Sequence, residues 1–190
     1  MKRALIVVDV QRDFCDGGAL AAGDTMSLLQ PLRAFIEKAR SAGITIVFTQ
    51  DWHPAAHSSF QGEGGRWPVH CVAASRGAQL MPPIEARDCD LIVRKGCTVV
   101  GAGYSGFEGT EMAEQLHALD ILEVAVCGIA TEYCVRATAM DAANTGFRVA
   151  VLKDLIRAVD PSAGKTALRE MVSLAIASMS SIRWLDGRQV

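Results

Sequence analysis

Side chains suited to acid–base, nucleophilic and metal chemistry occur directly after the apolar runs of this 190-residue sequence. They are Asp9, Asp51, His53, Lys95 and Cys134. The carboxyl ends of parallel strands meet at one edge of a sheet, and open α/β folds bind their ligands there. We therefore expect these five side chains to lie close together in one crevice.

Three of these residues are suited to covalent catalysis. Asp9 interrupts the apolar run ALIVVDV near its end, and a partly desolvated carboxylate has a raised pKa that suits proton transfer. Lys95 ends DLIVRK, where we expect it, rather than Arg94, to point into the crevice. Cys134 lies in GIATEYCV, in the first turn of a helix with Thr131 as the expected N-cap. The helix dipole would favour a thiolate there, and free amide groups could bind an oxyanion.

The remaining cysteines are interpreted as ordinary free thiols. Cys127 lies inside a predicted strand and is expected to be a core residue. The six cysteines contain no CxxC pair and are Cys15, Cys71, Cys89, Cys97, Cys127 and Cys134. A chain with enough residues for a large core and no signal peptide is expected to keep them reduced, in the cytoplasm.

The long segment 51–88 carries three of the four histidines. Irregular segments of this length are either functional or disordered. Asp51 and His53, two residues apart past a strand end, can point the same way, and His70 returns from the far side of the loop. One aspartate and two histidines form a ligand set for a divalent metal with open positions. Further residues that are either ligands or solvated loop residues are His57 and Glu63.

Apolar, β-branched runs alternate with segments of helical periodicity. The runs predict strands covered on both faces, at 4–10, 44–50, 90–95, 123–129 and 148–154, with a weaker sixth at 180–185. Helices are predicted at 25–43, 110–120, 131–146 and 161–179, the last with Ser162 as N-cap. This alternation predicts an α/β fold with three α/β/α layers and a mainly parallel, roughly six-stranded sheet. One domain is expected to span 1–190, with segment 51–88 as its long loop.

Composition and motifs exclude several other functions. A net charge of −2 gives no electrostatic reason to expect binding to nucleic acid or an anionic membrane. The N-terminal apolar run is interrupted at Asp9, and no other run is long enough to cross a bilayer. GAGYSG (101–106) follows a polar loop in the third crossover, and AGKT (163–166) lacks the leading glycine of a P-loop, so neither indicates a nucleotide.

Several sequence pieces resemble the isochorismatase-like cysteine hydrolase superfamily across essentially the whole chain. They are IVVDVQRDFCDGGAL, TQDWHPAAHSSF, RWPVHC, RKG, YSGFEGT and GIATEYCVRATAMDA. DWH and WPVHC are similar to its metal-holding nicotinamidase branch. The resemblance implies the Rossmann-like isochorismatase-like hydrolase fold. It also implies hydrolysis of nicotinamide to nicotinate and ammonia in NAD salvage, with pyrazinamide as an additional substrate.

The resemblance implies a role for each site residue. Asp9, Lys95 and Cys134 would form a catalytic triad that works through a cysteine thioester. A cis peptide bond between Ile129 and Ala130 would aim the amides of Ala130 and Cys134 at the oxyanion. One divalent ion (Zn, Mn or Fe) would be bound by Asp51, His53 and His70, with Glu63 or His57 as a further ligand. The ring of the substrate would be held by Phe14, Trp67, Tyr104 and Ile129.

Other functions are compatible with part of this pattern. The first alternative is another amidase or an isochorismatase-type hydrolase, most of which lack the Asp, His, His set. The second is a non-enzymatic binding domain, which the presence of all three triad residues disfavours. The third is a redox-sensing thiol protein, for which only Cys15 is a possible resolving partner of Cys134. A homo-oligomer is one possible assembly.

Overall fold

Six parallel strands form the central sheet of the computed structural model, which describes residues 1–101 and 103–187. They are β1 (Lys2–Val8), β2 (Thr45–Asp51), β3 (Leu91–Lys95), β4 (Ile121–Ile129), β5 (Arg148–Arg157) and β6 (Ala177–Met179). Their spatial order is β3-β2-β1-β4-β5-β6, and each neighbouring pair is parallel. The order reverses between β1 and β4, so a crevice is expected at the carboxyl ends of these two strands.

Five α-helices in the described part of the chain cover both faces of the sheet. They are α1 (Met26–Ser41), α2 (Met112–Ala118), α3 (Arg136–Asn144), α4 (Pro161–Ser173) and α5 (Ser181–Leu185). Leu5 and Val7 of β1 belong to the apolar cluster that includes α1 and α5. Ile6 and Val8 belong to the opposite cluster, with α2, α3 and α4. The predicted three-layer α/β/α architecture is therefore confirmed, and the strands read as continuous apolar runs because they are buried on both faces.

The C-terminal elements differ from the prediction. The strand predicted at 180–185 is helix α5, and the helix predicted at 161–179 ends at Ser173. The Ser180 hydroxyl accepts a hydrogen bond from the Arg183 amide and so caps a helix, while Trp184 packs into the core. A short apolar run fits a strand or a helix by periodicity alone.

Two N-cap predictions are also wrong. Asp160, not Ser162, caps α4, because its carboxylate accepts hydrogen bonds from the amides of Ser162 and Ala163. Thr131 lies inside a wide π-type turn that precedes α3, and no side chain caps that turn. Within the described residues, no helix combines the length and the apolar composition needed to cross a bilayer.

Candidate active site and metal centre

Asp9 follows β1 at the carboxyl edge of the sheet, fully buried and with a φ of 48°. Thr49 of β2 bonds both the side chain and the main chain of Asp9. The Thr49 hydroxyl donates to Asp9 Oδ1 at 2.6 Å and accepts from the Asp9 amide at 3.2 Å. Sequence reasoning missed Thr49. Its signal was the spacing, since a residue two before Asp51 lies on the same face of the strand.

Lys95, the last residue of β3, lies at the centre of the site and is 1% exposed. Its Nζ atom lies 2.9 Å from Asp9 Oδ2, 2.5 Å from Asp51 Oδ1, 2.7 Å from the Gly103 carbonyl oxygen and 3.6 Å from Cys134 Sγ. One buried ammonium therefore contacts two carboxylates and a thiol. The predicted gathering of these residues at one sheet edge is confirmed.

Arg94 and Lys95 occupy opposite faces of β3, as expected for neighbours in a strand. Arg94 is exposed, and its guanidinium lies 3.9 Å from the centre of the Trp52 ring. Lys95 is the residue that points into the crevice, as predicted. The exposed Arg94 provides a natural control for experiments on Lys95.

Burial and ion pairing act together on the charged groups of the site. Burial raises the pKa of Asp9, although the charge of Lys95 opposes this. Burial alone would lower the pKa of Lys95, but the carboxylates of Asp51 and Asp9 raise it well above its ordinary value. Burial acts to raise the pKa of Asp51 too, yet Lys95 holds that pKa below its ordinary range. Lys95 is therefore an ammonium and Asp51 a carboxylate at neutral pH.

Cys134 does not rest as the thiolate predicted from its position at a helix start. Burial raises the pKa of its thiol well above the ordinary value, and Lys95 offsets this only in part. The amides of Tyr133 and Val135 both donate to the Ala130 carbonyl at 3.1 Å. The thiolate prediction assumes that the N–H groups of this turn are free, but the amides of Tyr133 and Val135 already have a hydrogen-bond acceptor.

A buried neutral thiol needs a base before it can act as a nucleophile. Donor atoms of Asp9, Asp51 and Cys134 all lie within 4.8 Å of one another. Of the two carboxylates, Asp9 has the raised pKa and Asp51 the lowered one. Asp9 is therefore the better proton acceptor. The cis peptide bond between Ile129 and Ala130, implied by the resemblance, is confirmed.

Asp51, His53 and His70 form a second buried cluster, in which one donor atom from each lies within 4.8 Å of the other two. His53 Nδ1 lies 3.0 Å from the Gly96 carbonyl oxygen, and His70 Nδ1 lies 2.7 Å from that of Pro68. A carbonyl only accepts hydrogen bonds, so each Nδ1 carries a hydrogen; in the neutral imidazole, the form that binds a metal, each Nε2 then keeps its lone pair.

The donor set fits a divalent cation. His53 Nε2 and Asp51 Oδ2 lie 3.3 Å apart, and in this tautomer both atoms are acceptors. A shared cation would satisfy both. Two neutral imidazoles and one carboxylate suit a borderline divalent metal. Burial also lowers the pKa of His70, which favours the neutral, metal-binding form.

The two additional ligand candidates behave differently. Glu63 is exposed on the short turn Gln61–Glu63 and is not part of the cluster of Asp51, His53 and His70, which favours the alternative that it is a solvated loop residue. His57 is fully buried, with its ring stacked on that of His53 at a centroid distance of 4.2 Å. Its Nδ1 lies 2.7 Å from the Ser59 hydroxyl, and its Nε2 has no hydrogen-bond partner among the described residues. The assignment of His57 as a further metal ligand stays a prediction.

A cavity of about 40 Å³ opens between the two clusters. The four residues predicted to hold a ring all line it, namely Phe14, Trp67, Tyr104 and Ile129. The Trp67 indole N–H donates to the Tyr104 hydroxyl at 3.0 Å, and the Tyr133 ring packs edge-on against Trp67 at 5.3 Å. Sequence reasoning missed Tyr133, although its position directly before Cys134 was a signal.

Comparisons with known proteins agree with this geometry. The Isochorismatase domain model matches residues 3–182. The chain is 34% identical to the nicotinamidase of Escherichia coli (strain K12) over 205 aligned positions, which cover 96% of each chain.

Two solved structures are also similar to this chain. The pyrazinamidase of Pyrococcus horikoshii in complex with zinc shares 41% identity at a TM-score of 0.92, over 95% of this chain and 99% of that one. PnC1 from L. infantum in complex with nicotinate shares 36% identity at a TM-score of 0.86, over 95% and 93%. Fold, site and full-length matches agree, and the chain belongs to the isochorismatase family.

Proposed function

We propose that this protein is a nicotinamidase, an amidohydrolase that converts nicotinamide to nicotinate and ammonia in NAD salvage. The observation that carries the proposal is the buried contact of Lys95 with Asp9, Asp51 and Cys134, directly beside the cluster of Asp51, His53 and His70. Relatives named nicotinamidase and pyrazinamidase support the same substrate class, and pyrazinamide is proposed as a second substrate.

The proposed mechanism begins with transfer of the Cys134 thiol proton to Asp9. The sulfur then attacks the carboxamide carbon, and the carbonyl electron pair moves to oxygen. The amide groups of Ala130 and Cys134 would stabilise this oxyanion. Collapse of the intermediate breaks the C–N bond, and ammonia leaves with the proton from Asp9. Water attacks the resulting thioester, gives a proton to Asp9 and releases nicotinate, after which that proton returns to the Cys134 sulfur.

Lys95 supports these steps without reacting. Negative charge moves between Asp9, the Cys134 sulfur and the substrate oxygen as the reaction proceeds. The Lys95 ammonium lies within 3.6 Å of both protein groups and stays charged, because Asp51 and Asp9 raise its pKa. A fixed positive charge in a buried site stabilises each of these anionic states.

Asp51, His53 and His70 would hold one divalent ion, and the zinc complex of the Pyrococcus relative supports zinc over manganese or iron. When bound, the ion would offer coordination positions to water or to the pyridine nitrogen. The aromatic side chains of Phe14 and Trp67 would hold the ring beside it. The metal would thus select the substrate, while the triad carries out the chemistry.

The first experiment is an ammonia-release assay on the zinc-loaded protein with nicotinamide. We expect nicotinate and ammonia in equal amounts, and slower release after chelation. Benzamide is the matched control substrate, because it carries the same carboxamide on a ring without nitrogen; we expect a higher KM for it. Hydrolysis of other amides without turnover of nicotinamide would favour the alternative amidase or isochorismatase-type function.

The second experiment tests the metal ligands. His53→Ala removes one donor atom, so we expect zinc affinity to fall by about 100-fold or more, since even residues that only support ligands contribute 10–100-fold. The KM for nicotinamide should rise. His117→Ala is the matched control, because His117 stacks on Phe147 away from the cluster. A His53→Ala protein that binds zinc as tightly as the wild type would remove His53 from the ligand set.

Three further properties are proposed from less direct support. Residues 1–190 act as one domain, since the two apolar clusters share a single sheet. All six cysteines are free thiols, which supports a reducing, cytoplasmic location. A homo-oligomeric state stays a prediction.

A further inference from the structure

Gln11, just beyond β1, holds the main chain of Asp51 from both sides. Its Nε2 donates to the carbonyl oxygens of Asp51 and Ala78, each at 2.9 Å, and its Oε1 accepts from the Asp51 amide at 2.8 Å. Gln11 is fully buried. The paired register of β1 and β2 ends at Val7 and Phe48, so the Gln11 amide continues the hydrogen bonding of the sheet where the backbone no longer does.

Asp51 is the residue that the two functional clusters share. Its Oδ1 contacts Lys95 Nζ at 2.5 Å, and its Oδ2 lies 3.3 Å from His53 Nε2. An aspartate side chain has only one methylene group, so a shift of its main chain moves both oxygens with little room for compensation. The position of the Asp51 backbone therefore determines the geometry on both sides.

Asp13 makes a corresponding contact with the part of segment 51–88 that carries His70. Its Oδ2 accepts from the amide of Cys71, the residue after His70, at 2.7 Å. Its own amide donates to the Gly77 carbonyl at 3.1 Å. A Cβ atom on Gly77 would lie 2.0 Å from Asp13 Oδ2, so only glycine leaves room for the carboxylate to reach Cys71.

We propose that Gln11 and Asp13 are positioning residues that fix the main chain of the metal ligands Asp51 and His70. Neither side chain supplies a donor to the cluster. Gln11 and Asp13 act by holding ligands from two distant parts of the loop at the spacing that a divalent ion needs. The inference rests on the proposed metal site and extends it to the residues that support its ligands.

The decisive comparison is between Gln11→Met and Gln50→Met. Gln50 is also buried and donates to the Ala78 carbonyl, at 3.1 Å, but not to Asp51. Both variants lose the hydrogen bond to Ala78, and only Gln11→Met also loses the two hydrogen bonds to Asp51. We expect zinc affinity, measured by competition with a chromophoric chelator, to fall about 10–100-fold in Gln11→Met and to stay unchanged in Gln50→Met. Amide hydrogen exchange at Asp51 should accelerate only in Gln11→Met.

A second pair keeps the proposal falsifiable if Gln11→Met does not fold. Asp13→Ala removes the acceptor of the Cys71 amide, whereas Asp13→Asn keeps an acceptor oxygen, so zinc affinity should fall in the first and largely recover in the second. Wild-type affinity in both Gln11→Met and Asp13→Ala, or equal losses in Gln11→Met and Gln50→Met, would overturn the proposal. Zinc binding that responds as expected in a protein without nicotinamide turnover would refute the proposed function and leave the positioning roles intact.

Discussion

Cys134→Ala lowers kcat for ammonia release from nicotinamide by about 10⁴-fold or more, the loss typical of removing a nucleophile that works with a base and an oxyanion site. The alanine methyl group cannot form the thioester. Asp9 and Lys95 stay in place, because their mutual contact of 2.9 Å does not involve the thiol. Folding and zinc binding should therefore remain close to those of the wild type.

Cys127→Ala is the matched control for this variant. Cys127 is fully buried inside β4, seven residues before Cys134, and does not line the substrate cavity. It should lose some stability as a core residue but keep its kcat. Mass spectrometry of acid-quenched wild-type enzyme should locate an acyl adduct on Cys134. Appreciable turnover by Cys134→Ala, or an adduct elsewhere, would contradict the assignment of the nucleophile.

The sequence was sufficient to place most of the functional residues at one edge. Strand periodicity and the rule that sites form at strand carboxyl ends bring together Asp9, Asp51, His53, Lys95 and Cys134 without any detail of side-chain packing. This worked because the strands that carry the site are apolar and parallel, so polar residues gather near their carboxyl ends. The resemblance then divided the set into a triad and a metal cluster.

What the sequence could not predict depends on tertiary contacts without a periodic signal. The exposure of Glu63 follows from the path of segment 51–88, whose hydrogen bonds to residues 10–13 have no local pattern. The raised pKa of Cys134 follows from burial, which local helix geometry does not reveal. Gln11 bonds the main chain of Asp51 from a position that looks like an ordinary polar residue near a strand end.

Lys95→Met tests the electrostatic centre of the site through stability as well as activity. The substitution leaves the carboxylates of Asp9 and Asp51 buried together without their shared cation. Removing one partner of a buried ion pair lowers the free energy of unfolding by about 3–5 kcal/mol. We also expect kcat to fall by about 10²–10³-fold, since a fixed charge that stabilises anionic states is lost. Arg94→Met, which removes an exposed cation stacked on Trp52, should lose only about 0.5–1 kcal/mol.

The pH dependence separates this charge effect from simple loss of packing. Burial already raises the pKa of Asp9 although the charge of Lys95 opposes this, so removal of Lys95 raises that pKa further above its value in the unfolded chain. The native variant then binds a proton that its unfolded state does not, and its free energy of unfolding rises as pH falls. Urea unfolding should show a smaller deficit relative to wild type at about pH 5 than at about pH 7.5. A deficit that is independent of pH would mean that Lys95 stabilises the fold by packing rather than by charge.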